Sequence, residues 1–185
     1  MTDSHQQSII KKTQTWLQTA VIGLNLCPFA KAVHHKKLIR FEVSGAKHLD
    51  GFLECLDREL LLLKNTPASE LETTLLIEPK LFEDFEVFNQ MLDIAEQTVL
   101  EHGLEGVIQI APFHPQFQFA DTDENDISNY TNRSPYPILH LIREDSIAQA
   151  MQAFEGADTI FERNIALLQQ MGHDGWQALW QHKDT

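Results

Sequence analysis

Three short runs of strand-forming residues, LIRFEV (38–43), TTLLIEP (73–79) and GVIQIAP (106–112), alternate along the chain with apolar stripes at helical spacing. This alternation constrains the fold more than any other feature. A strand cannot cover its own faces, and a helix joining two strands returns over the sheet through a right-handed crossover. Ile10, Leu17, Ala20, Val21 and Leu24 predict a first helix over about 6–23. Leu49, Phe52, Leu53, Leu56, Leu60 and Leu63 predict a second, stopped by Asn65-Thr66-Pro67. Phe85, Phe88, Leu92, Ala95 and Val99 predict a third, closed by His102-Gly103.

A fourth strand, PILHLIR (137–143), sets Ile138, His140 and Ile142 on one face and Leu139, Leu141 and Arg143 on the other. Two helices follow, one over 146–154 and one opening at Thr159, and Trp176 and Trp180 lie in a final turn. The fold expected is a single layered α/β domain over 1–185. Its sheet is mixed and four-stranded, three strands parallel and one antiparallel, packed with helices.

A chain of 185 residues fits one core. Its net charge of −13 would repel nucleic acid and anionic membrane surfaces, so neither is expected as a partner. No apolar run approaches the roughly 18 residues of a membrane helix, and MTDSHQQSIIKK lacks the apolar core of a signal peptide, which makes the cytoplasm the expected compartment. Two cysteines, Cys27 and Cys55, build no disulfide framework or zinc-ribbon spacing. Neither glycine-rich nucleotide fingerprint occurs, and no cofactor is expected.

Functional chemistry concentrates in FHPQFQFADTDENDISNYTNRSPYPILH (113–140), a connection of roughly 20 residues, longer than ordinary loops within a compact domain. Ligands of open sheets bind beyond the carboxyl ends of strands. That rule brings His114, after the third strand, together with Arg133 and Ser134, before the fourth. His114 suits a general acid or base, or a loop histidine bonded to backbone. Arg133 suits a two-pronged clamp on a carboxylate or phosphate, or a salt bridge to Glu78 or Asp121. Ser134 lacks a nucleophile elbow and is assigned hydrogen bonding to substrate. The acidic middle of the connection, short of apolar anchors, is expected to be a mobile flap.

A second polar cluster, NLCPFAKAVHHKKLIR (25–40), carries Cys27 and the local positive charge of Lys31, Lys36, Lys37 and Arg40. Cys27 suits a nucleophile if a neighbouring cation lowers its thiol pKa, or a small buried hydrophobe. Lys31 is expected on the anion-binding side of the same site. Cys55 reads as core and His140 as a satisfied, half-buried histidine. Asp121, Asp123 and Asp126 fail the spacing of a calcium loop, and His34-His35 points poorly at one ion, so no metal site is expected.

The segments NLCPFA, IAPFHPQFQF, NRSPYPILHLIRE and ERNIALLQQMG together resemble a bacterial family of small proteins whose domain has no assigned function. The resemblance covers nearly the whole chain and implies no reaction, cofactor or catalytic residue. The residues themselves give the functional expectation, which is a small-molecule site for an anionic metabolite. In the enzymatic form, a thiol-dependent hydrolase or transferase, Cys27 attacks, His114 moves the proton, and Lys31, Arg133 and Ser134 hold the substrate. The alternatives are a non-catalytic metabolite-binding protein using the same residues and a subunit docking through Trp176 and Trp180.

Overall fold

A computed structural model describes residues 2–153 and 159–180. The elements are α1 (Asp3–Trp16), continued by a π-helical turn (Leu17–Ile22), α2 (Pro28–His35), β1 (Ile39–Val43), α3 (Leu49–Asn65), β2 (Thr73–Ile77), α4 (Phe85–Glu101), β3 (Ile108–Phe113), a 3-10 turn (Ile127–Thr131), β4 (Ile138–Arg143), α5 (Glu144–Ala153) and α6 (Ile160–Ala178). Phe154, expected to end the helix after β4, lies outside the described residues.

The strands form one mixed sheet in the order β1-β2-β4-β3. This corrects the expectation of three parallel strands: the sheet has one parallel pair, β1 with β2, while β4 lies between β2 and β3 and pairs antiparallel with both. The long connection after β3 lets β4 take the inner position, where both its edges bond. β3 is left at the sheet margin, the position that tolerates Pro112 without a backbone N–H. The register aligns Val43, Ile77, Ile138 and Phe113 along one edge, so the β1, β2 and β3 exits and the β4 entrance lie together.

Helices cover both faces. Leu76, Leu139, Leu141 and Ile108 pack under α3 and α4, against Phe52, Leu56 and Leu60 of one and Phe88, Met91 and Ala95 of the other. On the opposite face Val43, Leu75, Ile77 and Ile138 pack under Ile9, Trp16 and Ala20 of the first helix and Leu168 and Trp176 of α6. α2 and α5 extend that layer over Ile142 through Phe29, Val33 and Ile147.

α2 falls within the 25–40 segment, which the sequence reading took as a polar cluster and not as a helix. Pro28 at its first position and Phe29, Ala30 and Val33 on its buried side supply an ordinary helix start and apolar face. The lysines and histidines around them mask that stripe.

The first helix widens before it ends. Gly23 and Leu26 donate to carbonyls five residues back, Gln18 and Val21, at 3.0 and 2.8 Å, the pattern of a π-turn, which is uncommon outside functional regions. A Cβ at Gly23 would stand 2.2 Å from the Thr19 carbonyl oxygen. Gly23→Ala is therefore expected to lower stability by about 1–3 kcal/mol through overpacking, seen as a lower urea midpoint with an unchanged slope.

Candidate functional site

The long connection is hydrogen-bonded through its middle, and Asn129 is the hub. Its side chain is fully buried, with Oδ1 2.9 Å from both the Phe119 amide nitrogen and Thr122 Oγ1, while Nδ2 donates to the Asp123 carbonyl at 2.9 Å. Asp126 opens the 3-10 turn by accepting the Ser128 N–H at 2.8 Å. The expected flap is thus stitched through its acidic middle. Clustered Asp, Asn, Ser and Thr side chains supply the turn bonds that apolar anchors would supply elsewhere.

This loop fixes Arg133. Its Nε–H donates to the Phe117 carbonyl at 3.2 Å, one terminal N–H donates to the Glu124 carbonyl at 2.6 Å, and its guanidinium carbon lies 4.3 Å from the Tyr130 ring centroid. The backbone of Arg133 is tied to α1, because the Trp16 indole N–H donates to its carbonyl at 2.8 Å. Neither Glu78 nor Asp121 pairs with it. Glu78 is buried and accepts the Lys80 and Leu81 amides. Among the described residues the ion pairs lie elsewhere, on Arg40, Arg58 and His102, and Arg133 has no carboxylate partner.

Arg133 opens into a cavity of ≈ 710 Å³ between α1, the 3-10 turn and the end of α6. Lys11, Lys12 and Arg133 bring positive charge to its wall, and Trp16, Tyr130, Trp176 and Trp180 bring aromatic surface. Tyr130 meets Trp176 edge-on at 5.2 Å, and Trp176 meets Trp180 at 5.8 Å. The segment carrying the last two indoles is turned onto the cavity by Gly172, whose φ of 63° and ψ of 179° break α6, a conformation essentially restricted to glycine. Ser134 also lines this cavity, with its hydroxyl donating to the Tyr136 carbonyl at 2.5 Å.

The other sequence-derived residues fall elsewhere. His114 is fully buried between the rings of Phe85 and Phe88. Its Nε2 lies 2.8 Å from the Phe82 carbonyl, to which it donates, and its Nδ1 accepts the Gln116 N–H at 3.0 Å. Burial lowers its pKa, against the opposing effects of the Phe82 carbonyl and Asp84. Both ring nitrogens of His114 are engaged. Lys31 is exposed on α2 and lines none of the cavities described.

Cys27 precedes α2 and borders two further spaces. One, of ≈ 380 Å³, is also lined by Asn132 and Asn164. The other is small, and its wall includes Thr73 and His140. Burial pushes the Cys27 thiol up from its usual pKa, against the pull of the Ala30 and Phe29 amides. Cys55 is core, with its sulfur accepting from Arg58 at 2.9 Å.

The sequence reading missed Lys11, Lys12 and Trp16. A usable signal was present, since the chain has three tryptophans, one beside the first helix's lysines and two near the C-terminus, and all three line one cavity. Among the described residues no group of three His, Cys, Asp or Glu side chains is placed to hold a metal, and no helix is long and apolar enough to cross a membrane.

A family model described as protein of unknown function DUF1415 matches residues 8–178. The chain belongs to the DUF1415 family. The matched span includes nearly every DUF1415 element described above, from α1 through the Gly172 break to Trp176. Searches of curated proteins and of solved structures each found no match.

Proposed function

We propose that the protein binds a small anionic molecule with a planar, largely apolar body in the ≈ 710 Å³ cavity at Arg133. The observation that carries this reading is the state of Arg133, held by two backbone carbonyls and a tyrosine face yet without a carboxylate partner among the described residues. In a chain of net charge −13, an arginine left unpaired at a cavity mouth has its free N–H groups available for a ligand's carboxylate or phosphate. Fixing the guanidinium in advance lowers the entropy lost on binding. Lys11 and Lys12 add attraction at longer range, and the indoles give a planar ligand apolar contact. Ser134 borders the same space, and its hydroxyl oxygen can still accept a bond from the ligand.

The reading in which Cys27 and His114 act together draws no support from His114, whose ring nitrogens are both engaged. Binding is the reading the geometry favours for this cavity.

Because all three tryptophans border the cavity, intrinsic fluorescence reports its occupancy. Titration with 4-nitrobenzoate, a quenching aromatic carboxylate, is expected to give saturable quenching that weakens with added salt. The uncharged isostere 4-nitrobenzyl alcohol is expected to bind at least about tenfold more weakly, the loss of one charge-assisted contact. Equal affinity for the two probes would refute the proposal.

A further inference from the structure

The wall that α1 gives to the Arg133 cavity carries more positive charge than one carboxylate can use. Ser8, Lys11, Lys12, Thr15 and Trp16 all line that space, and steps of three and four residues set them along one side of α1. Trp16 closes the stripe where its indole N–H holds the Arg133 carbonyl. Lys11 and Lys12 therefore sit about one turn away, roughly 6–8 Å along the helix axis from Trp16. In a chain where 27 acidic side chains outnumber 14 basic ones, the described residues lining this cavity include Lys11, Lys12 and Arg133 and no acidic side chain. None of these cations has a carboxylate partner among the described residues.

The proton donors on the wall also exceed what a carboxylate accepts. A guanidinium has five N–H groups, and Arg133 spends its Nε–H and one terminal N–H on the Phe117 and Glu124 carbonyls, which leaves three. Each lysine ammonium adds three more. The hydroxyls of Thr15 and Ser134 give their protons to the Lys11 and Tyr136 carbonyls, so the cations are the main donors to a ligand. A carboxylate has two oxygens in one plane, and a two-pronged arginine contact occupies both. A phosphate ester has three terminal oxygens that point apart, so a guanidinium and an ammonium can bond it together. Its charge, near −2 at about pH 7, also answers more of the positive wall.

We propose, resting on the Arg133 anion site above, that its ligand is a phosphate monoester of a planar aromatic group. Arg133 bonds the phosphate, Lys11 and Lys12 supply its second counter-charge, and the ring lies toward Trp176 and Trp180. A volume of ≈ 710 Å³ is within the range of small-molecule sites, about 300–1,000 Å³, and holds ring and phosphate together.

Tryptophan fluorescence titrations of the full chain, run above about pH 7, test this with probes that share one aromatic body. 4-Nitrophenyl phosphate carries two charges, 4-nitrophenyl sulfate has the same tetrahedral shape with one, and 4-nitrobenzoate is the planar monoanion. The phosphate is expected to bind at least about tenfold more tightly than either monoanion, the worth of one more charge-assisted contact. In a Lys11→Gln, Lys12→Gln double variant, whose exposed helical positions accept glutamine, that preference should shrink to about threefold or less as the contact is lost. If 4-nitrobenzoate binds and the phosphate gains nothing over it or over the sulfate, the phosphate assignment is wrong while the Arg133 anion site stands. A preference that survives the loss of both lysines would refute the assignment as well. Failure of all three probes to quench would remove the Arg133 site itself, and the phosphate assignment with it.

Discussion

Asn129→Ala is expected to destabilise the protein by about 3 kcal/mol, measured as a shift in urea midpoint. The side chain is fully buried and uses both its oxygen and its nitrogen on the loop that follows β3. Alanine removes the bonds to the Phe119 amide, the Thr122 hydroxyl and the Asp123 carbonyl, each worth about 1 kcal/mol. The effect should also be local. Amide exchange across residues 117–131 should accelerate in the variant while β2 and β4 keep their protection, because the loop opens before the sheet does. Since Arg133 is oriented by carbonyls of this same loop, at Phe117 and Glu124, 4-nitrobenzoate should bind the folded variant more weakly. Slow exchange across 120–131 that is unchanged by the substitution would show that Asn129 is not the tie.

The second large effect is a loss of stability in mild acid caused by His140. Burial lowers its pKa from 6.5 to about 4. Between those values the unfolded chain takes up a proton that the folded protein refuses, so stability falls as pH drops from about 6.5 to about 4 and is fully present above 6.5. The difference corresponds to about 3 kcal/mol at 1.36 kcal/mol per pKa unit. His114, lowered by burial in the same direction, adds to the slope. The only other titratable side chain on the cavity wall is Cys27, which stays a thiol throughout this range. Comparing wild type with His140→Phe cancels the carboxylate background. The wild type should lose more stability than the variant between pH 7 and pH 4, and parallel pH profiles would contradict this account.

The elements legible in the sequence were those whose pattern is local. The α3 leucine stripe and the two-faced reading of β4 both describe side chains that the backbone period sends to opposite environments, and both faces are occupied as read. Strand order is different. Whether β4 lies outside β3 or between β2 and β3 depends on which edges find partners, and no residue of β4 encodes that choice. α2 was hidden for a compositional reason, since three apolar residues among lysines and histidines resemble a link.

The candidate site was legible in part. Arg133 and Ser134 do share a cavity at the sheet edge, because proline-rich strand entrances point to a crevice whatever the strand order. The two histidines could not be ranked from sequence. His114 reads as a strand-end residue and is sealed between phenylalanines, while His140 reads as strand interior and is only half-buried, with Nε2 beside the Thr73 hydroxyl. Only packing separates those environments. Lys11, Lys12 and Trp16 belong to a helix far from Arg133 in sequence, and the single indole bond from Trp16 to the Arg133 carbonyl joins them.

The most direct measurement of the central claim is tryptophan fluorescence titration of wild type and Arg133→Lys with 4-nitrobenzoate, alongside thermal melts of both proteins. Lysine keeps the charge but loses the planar fork and the stacking on Tyr130. If Arg133 is a held and unpaired anion clamp, the variant should bind about 10-fold more weakly or worse, by the worth of a charge-assisted bond, while its melting temperature changes little. Unchanged affinity, or a loss of stability as large as the loss of binding, would show instead that Arg133 serves only to brace the loop.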